Sequence, residues 1–383
     1  MIPLSVPNLC GNELKYVKRC IKTEWISSVG HYIPIFEKKV ASYLNSKYAV
    51  GCINGTSALQ VALRILEVGK GDEVIVPTLT FVATINSVIY NNAKPIFMDC
   101  DDFYNIDAEK TIKFIKNETV FRNNFTFNKK TRKRIPVILP VHLWGNAAKL
   151  EELVKVCKKR NISIVEDAAE SFGSKYINGN LKNRFTGTIG KVGCLSFNGN
   201  KMITTGGGGM ILTSDKKLAE KAKYLVSQAK DNALRYIHND IGYNFRLTNI
   251  QAALGLAQLE NFKFFKKKKD QIYQFYKNEI SKIKGLSIAA LPKYADNNKW
   301  LNILKINSKI YKKNVLEIIM KLKKNNIEAR PIWYPNHLQK KFKSYQKYEI
   351  KNAIKLLNSS LCVPSSTNIK ISDLKKVVKA LNV

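Results

Sequence analysis

Along the first 250 residues, short apolar runs alternate with stretches whose apolar residues recur every three or four positions. The runs are YAVGCI (48–53), EVIVPT (73–78), KPIFMDC (94–100), PVILPVHL (136–143), ISIVEDA (162–168), GCLSF (193–197) and GGMILTS (208–214). Each is short and apolar, and most carry β-branched residues, the signature of a buried strand. Between them, SALQVALRILEVG (57–69) and AAKLEELVKVCKKR (147–160) keep a helical period. Strands separated by helices need crossover connections, which predicts a mostly parallel sheet of seven strands covered on both faces. Too little chain joins the last two runs for a crossover, so the seventh strand is expected to run antiparallel.

After Arg246 the pattern changes. TNIQAALGLAQLENFKFFKKKKDQIYQFYKNEISKI sets Thr248 and Gln251 at capping-box spacing and continues as one long amphipathic helix. The remainder mixes short strands such as LNILKI (301–306) with Lys-rich helices. A length of 383 residues suits two domains. The expected division is a large α/β domain with an N-terminal arm over 1–247, then a connecting helix and a smaller α+β domain over 248–383.

Composition narrows the class. Hydrophobic residues at 45% and charged residues at 24% are those of an ordinary globular chain. No window is apolar for long enough to span a bilayer, and MIPLSVPNLCGNEL lacks the basic start and apolar run of a secretory signal. A cytoplasmic location is expected. The seven cysteines are scattered without a C-x-x-C pair, which argues for reduced thiols and against a zinc site or disulfide framework. The net charge of +35 raises nucleic acid as a partner. Its densest runs, NKKTRKR (128–134) and FKFFKKKKDQ (262–271), read instead as a loop and an exposed helix face, and no separable basic arm or recognition helix is evident. A positive field also suits an anionic small substrate such as a nucleotide sugar.

Ligands of open α/β sheets lie at the carboxyl ends of the strands, and the unusual residues fall there. After the first strand, NGTSAL (54–59) brings Gly55, Thr56 and Ser57 to a helix N-terminus, either an anion site or a simple cap. GTIGKVG (187–193) has the wrong glycine spacing for a dinucleotide loop, and no G-x-x-x-x-G-K-[ST] occurs. After the second strand, Phe81 in PTLTFVAT is open to two readings, a core residue or a plate over a flat ring. Asp167 ends an apolar run, where a carboxylate needs a cation unless it caps the next helix. In SFNGNKMITTGGGGM (196–210), Lys201 stands alone among small residues, either on a surface hairpin or as a reactive amine with room for a bulky partner. A phosphate cradle, an aromatic plate, a carboxylate and a lone lysine, in that order, form together the set that pyridoxal phosphate requires.

These segments, with FEKKVASYLNSKYAVGCINGTSAL, VPTLTFVATINSVIY, PIFMDCDDFYNID, PVHLWGN, VEDAAESFGS, GYNFRLTNIQAALGLAQLE and EARPIWYPNHLQ, resemble the DegT/StrS family of sugar-nucleotide aminotransferases over nearly the whole chain. The resemblance implies the fold type I architecture of pyridoxal-phosphate enzymes. It also implies Lys201 as the Schiff-base lysine, Asp167 as partner of the pyridinium and Phe81 as the stacking residue. Thr56, Ser57 and Ser196 would hold the phosphate. Asn244 would reach the cofactor of a neighbouring subunit, implying a homodimer with shared sites. Glu170 stands where many members carry Gln against the ring, which puts that contact in doubt. Arg330 and His337 fall in a segment that approaches the substrate in relatives, and Trp25 is open to a sugar-pocket or an interface role. His142 is expected to be structural or cofactor-adjacent. No metal is implied.

The SFNGNK-ITTGGGGM wording is similar to the 4-aminotransferase branch of bacillosamine and legionaminic acid pathways. That likeness implies transfer of the amine of L-glutamate, leaving 2-oxoglutarate, to C4 of a UDP- or GDP-linked 4-keto-6-deoxy sugar. Two rivals are a pyridoxamine-dependent sugar dehydratase, which in this family carries histidine in place of the lysine, and a DNA-binding regulator.

Overall fold

The computed structural model describes residues 1–232 and 234–382. The seven apolar runs form β1 (Tyr48–Cys52), β2 (Asp72–Pro77), β3 (Lys94–Met98), β4 (Arg134–Ile138), β5 (Ser163–Asp167), β6 (Val192–Ser196) and β7 (Gly209–Thr213). They lie in the order β1-β7-β6-β5-β4-β2-β3. The β2/β3, β2/β4, β4/β5 and β5/β6 pairs are parallel, and β7 is antiparallel to both neighbours. The sheet is larger than the sequence suggests, with ten strands. The additions are a hairpin over Thr119–Arg122 and Phe125–Asn128, and the two-residue strand Lys347–Tyr348 beside β3. All three are too short or too exposed to carry a strong apolar pattern.

Helices cover the sheet. α1 (Glu13–Lys22) and α2 (Tyr32–Leu44) precede it, and α3 (Gly55–Ile65) and α4 (Val82–Tyr90) follow β1 and β2. Further along, the capping box of Thr248 and Gln251 opens the helix Asn249–Glu260, but the single long helix expected from the sequence is two. The chain breaks at Asn261 and resumes over Phe262–Ile280. The first piece packs on α1 and α2. The second starts in the same core with Phe262 and Phe265 and runs on to bury Ile272, Tyr276 and Ile280 in another.

That second core lies under a four-stranded antiparallel sheet, β8 (Leu286–Ile288), β9 (Asn302–Ile306), β10 (Arg330–Pro331) and β11 (Ser360–Val363), in the order β8-β9-β11-β10. The chain does not divide cleanly near 247. The N-terminal arm bonds to the smaller sheet's surroundings, with Leu4 N–H donating to Glu328 Oε2 at 2.9 Å and Val6 N–H to Ser366 Oγ at 3.0 Å. Conversely, residues 333–357 return to the large sheet. No described helix is long and apolar enough to cross a membrane. No disulfide is formed, and six of the seven cysteines are buried.

Candidate active site

A cleft of about 190 Å³ opens at the carboxyl ends of β1, β2, β5 and β6. At its floor α3 begins. Asn54 caps it, its side chain accepting from Ser57 N–H at 2.8 Å, while Gly55 and Thr56 line the cleft. Ser196, at the end of β6, forms the adjoining wall. A Cβ on Gly55 would meet Ser196 Cβ at 2.8 Å, and one on Gly209 would meet the Asn54 carbonyl carbon at 2.4 Å. The glycine run thus lets β7 approach the start of α3, and Gly207 and Gly208 line the cleft without side chains. The result is a concave helix N-terminus with hydroxyls beside it, suited to a phosphate. Ser57 is buried and lies outside the lining, its N–H already committed to the cap.

Asp167, 4% exposed, ends β5 beneath the cleft. Thr84 Oγ1 donates to its Oδ2 at 2.8 Å, and Ala169 N–H donates to Oδ1 at 3.1 Å. Thr80 Oγ1 lies 2.9 Å from Thr84 Oγ1. Burial pushes the Asp167 carboxyl up, against the pull of Thr84, Ala169 and Lys201. Such a carboxylate gains from a cation placed next to it. Phe81 caps α4 and leaves half its ring open over the cleft, tilted at 57° to Trp333 with centroids 5.2 Å apart. Both observations fit a protonated pyridine ring between carboxylate and aromatic plate.

Lys201 follows β6 on a loop closed by Thr205 N–H donating to the Phe197 carbonyl at 2.9 Å. Its Nζ lies 3.7 Å from Glu170 Oε1 and 3.9 Å from the centroid of the Trp300 ring. Glu170 Oε2 accepts from Trp144 N–H at 2.8 Å. Burial lowers the Lys201 pKa, opposed by Glu170 and Asp167, and burial likewise raises Glu170. An amine so poised is closer to its free, nucleophilic form than an exposed lysine.

The structure thus brings Thr56, Phe81, Asp167, Glu170, Ser196 and Lys201 to one cavity. Asn244 is exposed and outside its own chain's cleft, paired with Ser227. Trp25, 56% exposed, is also outside, its carbonyl accepting from Asn249 Nδ2 at 2.6 Å. Arg330 points into solvent and pairs with Glu328 at 2.7 Å. His337 is buried, its Nδ1 2.6 Å from Thr78 Oγ1, and anchors the returning segment to the end of β2 instead of facing the cleft. His142 is structural. Its Nδ1 accepts from Ala148 N–H at 3.0 Å, so its Nε2–H donates to Glu166 at 2.8 Å. Reading the sequence did not anticipate Thr84, Trp300 or Trp333. The Thr80–Thr84 spacing, one helical turn apart, was the available signal for the first.

A parallel-sheet core with a helix N-terminus flanked by hydroxyls, a buried carboxylate, a half-exposed aromatic ring and a buried amine at the strand ends fits a pyridoxal phosphate-dependent aminotransferase. Residues 7–382 match the model of the DegT/DnrJ/EryC1/StrS aminotransferase family, and the chain belongs to that family. EpsN of Bacillus subtilis, named as a pyridoxal phosphate-dependent aminotransferase, is 35% identical over 99% of this chain and 95% of its own. GDP-perosamine synthase of Escherichia coli O157:H7 is 38% identical over 91% of this chain and 89% of its own. A UDP-N-acetyl-3-dehydro-alpha-D-glucosamine 3-aminotransferase of Acidithiobacillus ferrooxidans is 37% identical over 58% of this chain and 54% of its own. Among solved structures, a DegT DnrJ EryC1 StrS aminotransferase from Brucella abortus superposes with a TM-score of 0.86 at 26% identity, covering 97% of this chain and 94% of that one. The protein is a pyridoxal phosphate-dependent sugar aminotransferase.

Proposed function

We propose that the enzyme moves the amino group of L-glutamate to C4 of a 4-keto-6-deoxy sugar carried by UDP or GDP, in the cytoplasm, making a precursor of bacterial glycans of the bacillosamine or legionaminic acid type. The observation that carries the chemistry is the buried Lys201 amine, 3.7 Å from Glu170, in the cavity that also holds Asp167 and the start of α3. When bound, pyridoxal phosphate supplies an aldehyde for that amine and a ring that accepts electrons from the substrate carbon. Thr56, Ser196 and the first N–H groups of α3 hold its phosphate, Phe81 covers its ring, and Asp167 keeps its nitrogen protonated. Lys201 moves the proton between carbon atoms as general base and acid. A lysine at this position favours amine transfer over the dehydratase chemistry that replaces it with histidine.

The acceptor rests on the GDP-perosamine synthase likeness and on the SFNGNK-ITTGGGGM wording. The net charge of +35 supports a diphosphate carrier, drawn toward a basic surface. A homodimer is supported by exposed apolar side chains at Trp25, Ile26, Leu234 and Ile241, and by an Asn244 that its own cleft does not use. The test is a panel of UDP- and GDP-linked keto sugars incubated with nitrogen-labelled glutamate and read by mass spectrometry and NMR. Label at C4 of a 4-keto sugar is expected. Label only at C3 of a 3-keto sugar, the position in the Acidithiobacillus relative's name, would refute the C4 assignment.

A further inference from the structure

Trp300 reaches the cleft from just before β9, and four contacts hold the residue, two on its main chain and two on its ring. Its backbone N–H donates to Asn298 Oδ1 at 2.9 Å and its indole N–H to the Asn200 carbonyl at 2.6 Å. Its own carbonyl accepts from the buried Lys269 amine at 2.7 Å. Its ring stacks on Trp144 with centroids 6.1 Å apart and planes 18° from parallel. The residue is 1% exposed. The indole bond goes to the residue just before Lys201, so ring and lysine main chain are tied together. Lys201 Nζ lies 3.9 Å from the ring centroid, well inside the ~6 Å within which an ammonium is drawn to an aromatic face, and indole is the strongest such face.

We propose that Trp300 is a positioning residue whose ring face, together with Glu170, is the rest position of the Lys201 side chain, occupied by the ammonium when the amine is protonated and not bonded to cofactor. The use of this position in turnover rests on the assignment of Lys201 made above. A transaminase lysine is released in each turnover and carries a proton before it is recaptured. A seat for the protonated amine, at the cavity wall and within the same loop's reach, keeps that proton beside the reacting atoms without a covalent tie. The ionisable groups around the seat are Glu170 at 3.7 Å and Asp167 on the cleft side. On the opposite side Lys269 shares with Lys201 a void of about 10 Å³. The two carboxylates favour the ammonium, and the ring supplies attraction without adding a third charge that would need its own partner.

The test is competitive labelling of the full-length protein, freed of cofactor, with trace acetic anhydride across a pH series. Acetylation at Lys201 is read by peptide mass spectrometry against the exposed Lys216 in the same digest. The plateau reports access of the reagent, and the midpoint reports how firmly the ammonium is held. Trp300→Leu keeps apolar bulk and removes the ring, and its midpoint should move to lower pH by about one unit, giving about tenfold more labelling below both midpoints. Trp300→Phe, with a weaker face, should fall between. If the leucine variant does not fold, fluorinated tryptophans inserted at position 300 keep shape and N–H while draining the ring face. Their midpoints should then fall stepwise with fluorine content. Midpoints that do not move, or that move upward, overturn the proposal. The labelling reads the amine whether or not the protein transfers nitrogen. An active enzyme with unmoved midpoints therefore removes the role of Trp300 alone, and an inactive one with shifted midpoints keeps the seat and removes the assigned reaction.

Discussion

Thr84→Val removes one hydroxyl from beneath the cofactor and leaves shape and burial nearly unchanged. In the wild-type chain that hydroxyl donates to Asp167 Oδ2 at 2.8 Å, and after the change Asp167 keeps only the Ala169 N–H at 3.1 Å. A hydrogen bond to a charged group is worth about 1.5–3 kcal/mol, and each 1.4 kcal/mol is tenfold in affinity. Because the bond is also made without cofactor, only the part that strengthens on binding is lost, and pyridoxal phosphate should bind more weakly by at most about a hundredfold. The pH dependence has a definite sign. Burial already holds the Asp167 carboxyl above its ordinary range, and Thr84 is the strongest of the contacts drawing it down. Without Thr84 the carboxyl rises further and is protonated at a higher pH, so the loss of affinity grows as pH falls. Absorbance titration of cofactor into the stripped protein at a series of pH values measures both effects. Thr80→Val is the reference, since Thr80 touches Thr84 and makes no direct bond to Asp167. Wild-type affinity with an unchanged pH profile in Thr84→Val, or an equal loss in Thr80→Val, would refute the reasoning.

Borohydride reduction of the cofactor-loaded protein should fix the label on Lys201 in a peptide map, and label on any other lysine would exclude the assignment. If Asn244 serves the neighbouring subunit, Asn244→Ala and Lys201→Ala proteins should each be inactive, yet regain part of the activity when unfolded and refolded together. Hybrids shown to have formed without recovery would place Asn244 in its own subunit's service. Burial pushes the Lys269 ammonium down to about 7. Between that pH and the unfolded value near ~10.4, the unfolded chain holds a proton that the folded chain lacks, so stability should rise with pH by at most about 4 to 5 kcal/mol. Lys269→Met should flatten that rise in urea unfolding at pH 7, 8.5 and 10, and an unchanged slope would count against the buried charge.

What could be read from the sequence follows from where the signal is local. β-branched runs announce strands buried on both faces, and in an open α/β sheet the residues just past them are placed together by the fold. Thr56, Phe81, Asp167, Ser196 and Lys201 accordingly meet at one cavity. The Ser57 N–H is committed to the Asn54 cap, which spacing alone does not reveal. Trp300 and Trp333 arrive from far beyond Lys201 in the chain, and no local period marks either as a wall of the cleft. Trp144, at φ +59, turns its ring between those two tryptophans from a backbone conformation that few residues other than glycine adopt. The segment shared with relatives points to His337 as a substrate contact, and in this chain its Nδ1 lies 2.6 Å from Thr78 Oγ1. The break at Asn261 was hidden because both halves are helical and no proline or glycine stands at the junction.

The central claim is a two-stage transfer of nitrogen, and one spectrophotometric measurement addresses it most directly. Cofactor-loaded enzyme is mixed with L-glutamate alone, and a nucleotide-linked 4-keto-6-deoxy sugar is added after the first change is complete. Glutamate should abolish the visible absorbance of the lysine-bound cofactor while releasing one equivalent of 2-oxoglutarate per site, and the sugar should restore it as the amino sugar forms. Absorbance that glutamate leaves unchanged, or that no nucleotide-linked keto sugar restores, would contradict the account.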